Sequence, residues 1–564
     1  MNFNELPLRV PNIKECEKFY KEAYEKIKLA NNAKEVASLM KKMYKFESDL
    51  ETDVTVISIR YSIDTANKDY LDAKNATDEI IPVISSYKMP IIKEILSKPF
   101  RKELENIFGE YLFQKYEGAV KSFDEKIIPD LIEESKLTTQ YDAILGGAKI
   151  KYKGQIYNLS GLRKFSQSLD REERKKVAKL SSDFFLKNNE ALGEIYDKLV
   201  HLRDNMAHKL GFKNYIELGY LNLGRVDYDA TMVAEYREQI RKNVCPIYKK
   251  LIKKQAARIG IKNPMFYDLN LSFLTGNPMP NGDAAKLVSE AQQMYNEMSK
   301  ETGEFFTFMK ESNLLDLETR LGKAPGGYMT YLPTYKAPFI FSNFNGTSDD
   351  LNVLTHEVGH AFQGYMSKDI KIPEYHMPGY EACEIHSMSM EFLAWPWMNL
   401  FFGKDAEKYK FMHLTDAIEF LPYGATVDEF QHYVYENVDA THAERCAKWR
   451  EIEKKYLPLK KYNGFKFLNS GTWWLRQGHI FSSPFYYIDY TLAQVVAFEF
   501  LDESLEDKEK TWNKYVKLCS MGGKYPFRTL LKKAHLRDPF KKGTMKKNIK
   551  PLLKVLDNFD DAKM

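Results

Sequence analysis

The sequence predicts a mainly α-helical protein. From about residue 11 to 137, apolar side chains recur at the spacing of helix turns, and few Pro or Gly residues interrupt the pattern. The same periodicity returns over residues 170–208 and again over residues 284–315. Stretches that alternate as strands do are short, so we expect only a small β-sheet beside the helices.

The first region is expected to form an antiparallel set of long helices. Phe19, Tyr24 and Ile27 belong to the first helical pattern, and Met43 and Phe46 belong to its continuation. The Tyr and Lys residues at helical spacing in this region are interpreted as core and solvated faces. No chemistry of its own is visible in this region.

Two interruptions divide the helical patterns. Residues 148–158 alternate and turn at Lys153-Gly154, which predicts a small β-hairpin. Residues 264–282 contain three Pro and two Gly residues and predict a long irregular loop, a candidate boundary between lobes.

Composition favours a large folded protein over a disordered or nucleic-acid-binding one. The chain has 564 residues, of which 44% are hydrophobic and 14% aromatic, which is enough for a large core. Its 83 basic and 78 acidic residues nearly balance, so the charge gives no case for a nucleic-acid or membrane partner. The first residues lack the pattern of a signal peptide, and the five scattered cysteines are interpreted as reduced thiols. We therefore expect a cytoplasmic location.

Two short strands are predicted ahead of the most informative motif. They cover residues 322–331 and 338–344, and the first contains the pair Gly326-Gly327. Adjacent glycines in a strand indicate close approach of another backbone. That backbone could belong to a substrate peptide that adds as a strand, or the glycines could form a bulge or a tight bend.

A metal-binding motif, HExxH, follows as His356-Glu357-Val358-Gly359-His360. Two imidazoles four residues apart lie on one face of a helix, so both can reach the same metal ion. Glu357 can serve as the acid or base beside that metal. The stretch Thr-Ser-Asp-Asp at residues 347–350 offers an N-cap hydroxyl with an acidic residue three positions on. This context argues against a chance pairing of two core histidines.

A second helix is predicted to begin near residue 381 and to supply a third ligand. Glu381, Glu384, His386 and Glu391 are all candidates, and spacing alone does not choose among them. Glu384 and Glu391 share a helix face, which makes Glu391 a candidate for a group behind the ligands.

Two alternative hypotheses for the function depend on other features. Glu429 and His432 form a second Glu-x-x-His motif, matching Glu357 and His360, and two such motifs are typical of di-iron carboxylate bundles. That reading leaves His356 unexplained. A helical scaffold with a vestigial metal motif would hydrolyse no peptide at all.

A loop near residue 480 adds candidate hydrogen-bond donors. His479, Tyr486, Tyr487 and Tyr490 lie in a Pro-containing stretch suited to binding a carbonyl or a developing oxyanion. The alternative is aromatic packing in the core.

These motifs together resemble the thimet oligopeptidase/oligoendopeptidase F family of zinc metallopeptidases, in particular its bacterial oligoendopeptidase F and Pz-peptidase branch. The resemblance depends on the HExxH helix, the following Glu384 in Glu-x-x-Ser, and His479 ahead of Pro-Phe-Tyr-Tyr-x-x-Tyr. Gly-Gly-Tyr and Pro-Phe-Ile-Phe-Ser-Asn-Phe-Asn-Gly-Thr ahead of the zinc motif also match. It covers the chain from about residue 200 onward, so we expect an N-terminal helical region over 1–195 and a catalytic region over 196–564.

The resemblance implies two helical lobes around a deep substrate channel, with one zinc ion per chain. By position, the zinc ligands would be His356, His360 and Glu384, and Glu357 would be the general base. The family's carbonyl-binding groups would be His479, Tyr486 and Tyr490, with Tyr487 as an alternative to Tyr486. Gly326, Gly327 and Tyr328 would contact the substrate backbone.

The function so implied is that of a zinc-dependent oligoendopeptidase. It would hydrolyse internal bonds of short unstructured peptides by attack of a zinc-activated water. An exopeptidase activity is the alternative among peptidases, and the sequence does not predict the oligomeric state.

Overall fold

The computed structural model describes residues 1–561 and 563–564. Helices account for 71% of the chain, so the prediction of a mainly α fold is confirmed. The helices before the sheet are α1 Ile13–Leu29, α2 Ala33–Ile63, α3 Lys68–Ser97, α4 Arg101–Phe108, α5 Glu110–Ser122, α6 Ile128–Gly146, α7 Leu159–Leu162, α8 Arg171–Lys187, α9 Asn189–Lys209, α10 Tyr215–Asn222, α11 Ala230–Asn243, α12 Cys245–Arg258, α13 Ala284–Met298 and α14 Lys300–Glu311.

The helices after the sheet include those that carry the metal motif. They are α15 Asp349–Met366, α16 Tyr380–Leu393, α17 Met398–Phe402, α18 Ala406–Glu436, α19 His442–Tyr456, α20 Lys466–Asn469, α21 Gly478–Ser482, α22 Tyr487–Glu506, α23 Lys508–Met521, α24 Phe527–Lys533 and α25 Thr544–Asn558. No helix in the described part of the chain is long and apolar enough to cross a membrane.

The first long helices begin at asparagine caps and pack on one another. The side chains of Asn12, Asn32 and Asn67 accept backbone N–H groups at the starts of α1, α2 and α3. These helices share a hydrophobic core that also contains Tyr375, from the segment between α15 and α16. The Tyr375 hydroxyl accepts the N–H of Leu112 at 2.8 Å, so the N-terminal layer is joined directly to the region of the metal motif.

The predicted hairpin and the predicted irregular loop are both present. Strands β1 (Ile150–Tyr152) and β2 (Gln155–Tyr157) pair antiparallel. Lys153 and Gly154 between them have φ angles of 46° and 78°, as a tight two-residue hairpin turn requires. Between α12 and α13 the chain is irregular. The division of the chain at residue 195 stays a prediction.

A three-stranded sheet lies beside α15. Its strands are β3 (Leu315–Glu318), β4 (Tyr328–Leu332) and β5 (Ala337–Phe344), in the order β3-β5-β4. The two predicted strands correspond to β4 and β5, which pair antiparallel, while β3 was not predicted and pairs parallel to β5. The expectation that Gly326-Gly327 lies within a strand is wrong, because β4 begins only at Tyr328.

The first residues of the chain are anchored on this sheet. The backbone N–H of Phe3 donates to the Ser312 carbonyl at 2.9 Å. The Phe3 ring is 2% exposed and lies 4.4 Å from the ring of Phe339 in β5, measured between centroids. Arg60 of α2 donates to the Phe3 carbonyl at 3.2 Å.

The predicted hydroxyl cap at the start of α15 is wrong. The N-cap residue is Ser348, and its side chain makes no capping hydrogen bond. Asp350 instead accepts the N–H groups of Asn345 and Gly346 at 2.9 and 2.7 Å. The Thr347 hydroxyl donates to Asn345 Oδ1 at 2.8 Å, so it does not cap the helix. The Asp350 carboxylate holds the turn before α15 instead.

Helices α15 and α16 touch backbone to backbone at Gly359. A Cβ atom placed on Gly359 would lie only 2.6 Å from the His386 carbonyl oxygen and from Ser387 Cα. Real Cβ atoms essentially never approach so closely, so only glycine fits here. This close contact brings side chains from both helices into one small volume.

Candidate active site

Three metal-ligand atoms converge from α15 and α16. Glu384 Oε2 lies 3.1 Å from His356 Nε2 and 3.3 Å from His360 Nε2. All three atoms lie within 4.8 Å of one another, and Glu384 is 1% exposed. The two histidines share a face because they are one helix turn apart. Glu384 reaches them because the helices cross at Gly359.

Packing separates Glu384 from the other candidates for the third ligand. Glu391 Oε1 lies 2.7 Å from His356 Nδ1, on the far side of that ring, as the sequence suggested. The His386 ring is directed to the Ala382 carbonyl at 2.7 Å. Glu381 is buried near Asp489 and Arg225.

The electrostatics of this site favour a positive charge between the three donors. Burial opposes a charge on His356, but hydrogen bonds to Glu384 and Glu391 raise its pKa well above the ordinary value. Burial likewise opposes ionisation of Glu384, but His360 and His356 hold its pKa well below the ordinary value. Two imidazole nitrogens and one carboxylate oxygen are a donor set that zinc accepts, so the residues fit such an ion.

Glu357 lies beside the three donors with a free oxygen. The residue is 5% exposed, and its Oε2 has no hydrogen-bond partner among the described residues. Burial raises its pKa, while the nearby His356 and His360 lower it, and the net direction is upward. Gly327 lies directly over this carboxylate, because a Cβ there would be 3.6 Å from Glu357 Oε1.

The His-Tyr loop approaches the donors from α21 and α22. The Gln477 amide nitrogen donates to His479 Nδ1 at 2.8 Å, so the ring proton of neutral His479 lies on Nε2. Nε2 is 3.1 Å from the hydroxyl oxygen of Tyr490. Burial lowers the pKa of His479 to about 4, so the ring is neutral at physiological pH. The Tyr490 oxygen accepts a hydrogen bond from His479 Nε2–H. Its own O–H therefore stays free to donate to another group.

Tyr486 and Tyr487 take different positions. The Tyr486 hydroxyl donates to Glu384 Oε1, so this side chain touches the metal donors. The Tyr487 ring packs 5.7 Å from that of Phe420 and 5.8 Å from that of Tyr423, between centroids. Tyr487 is not among the described residues that line the cavity, and its contact with substrate stays a prediction.

These groups line one cavity of about 820 Å³. One wall is the segment from Pro325 to Tyr331, which includes the edge strand β4. The N-terminal helices contribute Glu51, Lys115 and Asp142 to the lining. The cavity therefore lies between the N-terminal helices and the metal-motif helices. The two-lobe arrangement around it stays a prediction.

Comparison with known proteins assigns the family. Residues 165–549 match the pattern of peptidase family M3, and residues 3–123 match its N-terminal domain. The chain belongs to peptidase family M3. The family resemblance seen in the sequence is thereby confirmed, and the chain is a zinc metallo-oligopeptidase.

Two solved structures superpose closely on this chain. Pz peptidase A, solved with an inhibitor, is 46% identical over 100% of both chains, with a TM-score of 0.99. A protein described as an oligoendopeptidase F from Bacillus anthracis is 45% identical over 100% of this chain and 99% of its own, with a TM-score of 0.94. A search of curated proteins found no match.

The di-iron alternative is not supported. Glu429 is bound by Lys455 at 2.7 Å and by the Tyr456 hydroxyl at 2.5 Å. His432 is bound by Arg237 at 2.9 Å. Among the described residues, the cluster on α15 and α16 is the only group of three or more acidic, His or Cys side chains with metal-binding spacing.

Sequence reasoning missed several side chains around the site. Gln477 was not singled out, although it fixes the tautomer of His479. His413 of α18 was also missed, although its Nε2 lies 2.7 Å from Glu391 Oε2. No spacing signal links these residues to the motif, because the contacts form only when distant helices pack.

Proposed function

We propose that this M3 peptidase cleaves internal bonds of short, unfolded peptides with one zinc ion per chain. The main support for this proposal is that three metal donors and the unpaired carboxylate oxygen of Glu357 lie together on one cavity wall. A cavity of about 820 Å³ admits a stretch of extended peptide, but it does not admit a folded domain.

We propose that His356, His360 and Glu384 hold the metal. Three protein ligands that leave a fourth position open are typical of catalytic zinc sites. When bound, zinc would supply a Lewis acid that polarises the scissile carbonyl and lowers the pKa of a water molecule to about 7.

We propose Glu357 as the general base. Its Oε2 has no other hydrogen-bond partner among the described residues, so it is free to take a proton from the attacking water. The same carboxyl group then returns the proton to the leaving amine, so no second acid is needed. The absence of a Cβ on Gly327 keeps the space above this carboxylate open for substrate.

We propose that Tyr490 donates to the oxyanion that forms at the scissile carbonyl. His479 supports this role, because its Nε2–H is directed to the Tyr490 oxygen at 3.1 Å and leaves the Tyr490 O–H unused. Tyr486 lies on the same side, and it would act as a second donor if its O–H turned from Glu384 to the substrate. A preorganised donor of this kind acts mainly on the transition state.

We propose that the substrate backbone pairs with the free edge of β4. This strand bonds β5 on one side only, and its residues from Tyr328 to Tyr331 line the cavity together with Gly326 and Gly327. Backbone pairing binds many sequences alike, which suits a peptidase of broad specificity.

We also propose a reducing, cytoplasmic location for the enzyme. All five cysteines are free, and four of them are buried. Disulfides are rare in proteins of reducing compartments.

The first test is to incubate the purified protein with an end-blocked oligopeptide, with and without a chelator, and to count the bound metal. We expect one zinc per chain and cleavage at internal bonds that the chelator abolishes. A product set limited to terminal residues of unblocked peptides would identify an exopeptidase instead. If the zinc-loaded protein cut no peptide, the proposed function would be refuted.

A further inference from the structure

A buried chain of side chains extends from the metal site into the core behind it. His356 Nδ1 lies 2.7 Å from Glu391 Oε1, and Glu391 Oε2 lies 2.7 Å from His413 Nε2. The indole nitrogen of Trp395 then donates to His413 Nδ1 at 2.9 Å. The four groups connect α15, α16, the turn after α16, and α18.

The chemistry of these groups fixes where each proton lies. An indole N–H can only donate, so Nδ1 of His413 must accept. A neutral imidazole then carries its proton on Nε2, where it donates to Glu391. The carboxylate accepts this proton on one oxygen and the Nδ1–H of His356 on the other. Nε2 of His356 is therefore the ring nitrogen that faces Glu384 and the metal position, and its lone pair would bind a metal ion that displaces the proton there.

His413 is held rigidly where it can perform this role. It is 4% exposed, and its ring stacks on that of Tyr409, with centroids 5.5 Å apart and planes 20° apart. The Tyr409 hydroxyl in turn donates to Asn352 of α15 at 2.5 Å. Both ring nitrogens of His413 are used, so the ring has one orientation that satisfies all of its partners.

We propose that His413, fixed by Trp395, is a positioning residue for the metal ligand His356 and acts through Glu391. Without the His413 donor, one oxygen of Glu391 loses its partner, and the carboxylate is free to rotate away from His356. The His356 ring then loses both its fixed tautomer and its fixed direction. Groups behind metal ligands typically change metal affinity by roughly 10–100-fold when they are removed.

The test is a measurement of zinc affinity by competition with a chromophoric chelator. His413→Leu removes both hydrogen bonds, and we expect zinc to bind roughly 10–100-fold more weakly. His413→Gln can still donate to Glu391 and accept from Trp395, so it should restore most of that loss. Trp395→Phe keeps an aromatic ring but removes one donor, and we expect a loss of roughly 2–10-fold.

His432→Leu is the matched control. His432 lies on the same helix, is 6% exposed, and bonds Arg237 and Tyr220 instead of the metal site. We expect this variant to lower the melting temperature while leaving zinc affinity within about twofold of wild type. Spectra of the cobalt-loaded proteins add a second readout, because a displaced ligand changes the absorption bands in His413→Leu but not in His432→Leu.

Two results would overturn the proposal: unchanged zinc affinity in His413→Leu and Trp395→Phe, or an equal loss of affinity in His432→Leu. If His413→Leu fails to fold, Trp395→Phe decides, because the proposal predicts a loss of zinc affinity there. The inference rests on the proposed metal site, yet the two fail differently. A wild-type protein that binds no zinc refutes the site, whereas equal affinities across the variants refute only the role of His413.

Discussion

Replacing Gly359 with alanine tests whether contact between α15 and α16 sets the metal site. The added Cβ would lie 2.6 Å from His386 O and Ser387 Cα, whereas ordinary contact begins at 3.4 Å. Both neighbours are backbone atoms, so neither can rotate away. The two helices must therefore separate locally by roughly 0.8 Å, the difference between these two distances.

The expected effect combines two opposing terms. Alanine stabilises a helix interior by about 1 kcal/mol relative to glycine. Overpacking of a tight core costs about 1–3 kcal/mol, so the net change is a loss of stability of up to about 2 kcal/mol. Zinc-ligand distances tolerate only about 0.2 Å, so a separation of this size should also weaken zinc binding by roughly 10-fold or more.

Gly364→Ala is the matched control on the same helix. A Cβ at Gly364 would have its nearest neighbour at 3.4 Å, in the side chain of Tyr331, which is ordinary contact. This variant should gain about 0.5–1 kcal/mol and bind zinc normally. The assays are chemical denaturation of the metal-free proteins and chelator competition for zinc. If Gly359→Ala behaved like Gly364→Ala in both, the argument from helix contact would be refuted.

Three further predictions address the chemistry and the pH dependence. Glu357→Gln should retain zinc and lose nearly all cleavage, and full activity would exclude its role as base. Tyr490→Phe should lower kcat by roughly 10²–10³-fold without changing the melting temperature; an unchanged kcat would move the donor role to Tyr486. Burial and the charge of Asp489 raise the pKa of Glu381 to about 8, against the opposing charge of Arg225. The folded state therefore binds this proton more tightly than the unfolded chain, and its contribution to stability is lost as pH rises from about 4 to 8. Glu381→Gln should flatten this fall in thermal melts, and an unchanged slope would contradict the assignment.

The local geometry of the metal site could be predicted from the sequence. His356 and His360 are one helix turn apart, so periodicity alone predicted that they share a face. The choice of the third ligand depended on how α15 meets α16, and spacing left Glu381, Glu384, His386 and Glu391 open. The contact at Gly359 that decides the geometry is invisible to spacing rules, because it joins two helices.

Non-local features escaped prediction for the same reason. His413 contacts Glu391 only because α18 packs against α16. In the sequence, a lone histidine in a helical pattern is typical of an ordinary core residue. Strand β3 is four residues long and pairs parallel with β5, so no turn signal marks it. The cap of α15 was predicted wrongly, because the sequence showed hydroxyl residues at the right place. It did not show that the Asp350 carboxylate would bind the turn instead.

The anchoring of Phe3 on β5 has a consequence for the order in which the chain assembles. The partners Ser312 and Phe339 are synthesised more than 300 residues after Phe3. At ribosomal rates of about 5–20 residues per second, the wait is on the order of 15–70 s. The N-terminal helices can fold during that time, but the segment before them keeps an apolar ring exposed until the sheet exists. Its docking is therefore a late step of biosynthesis.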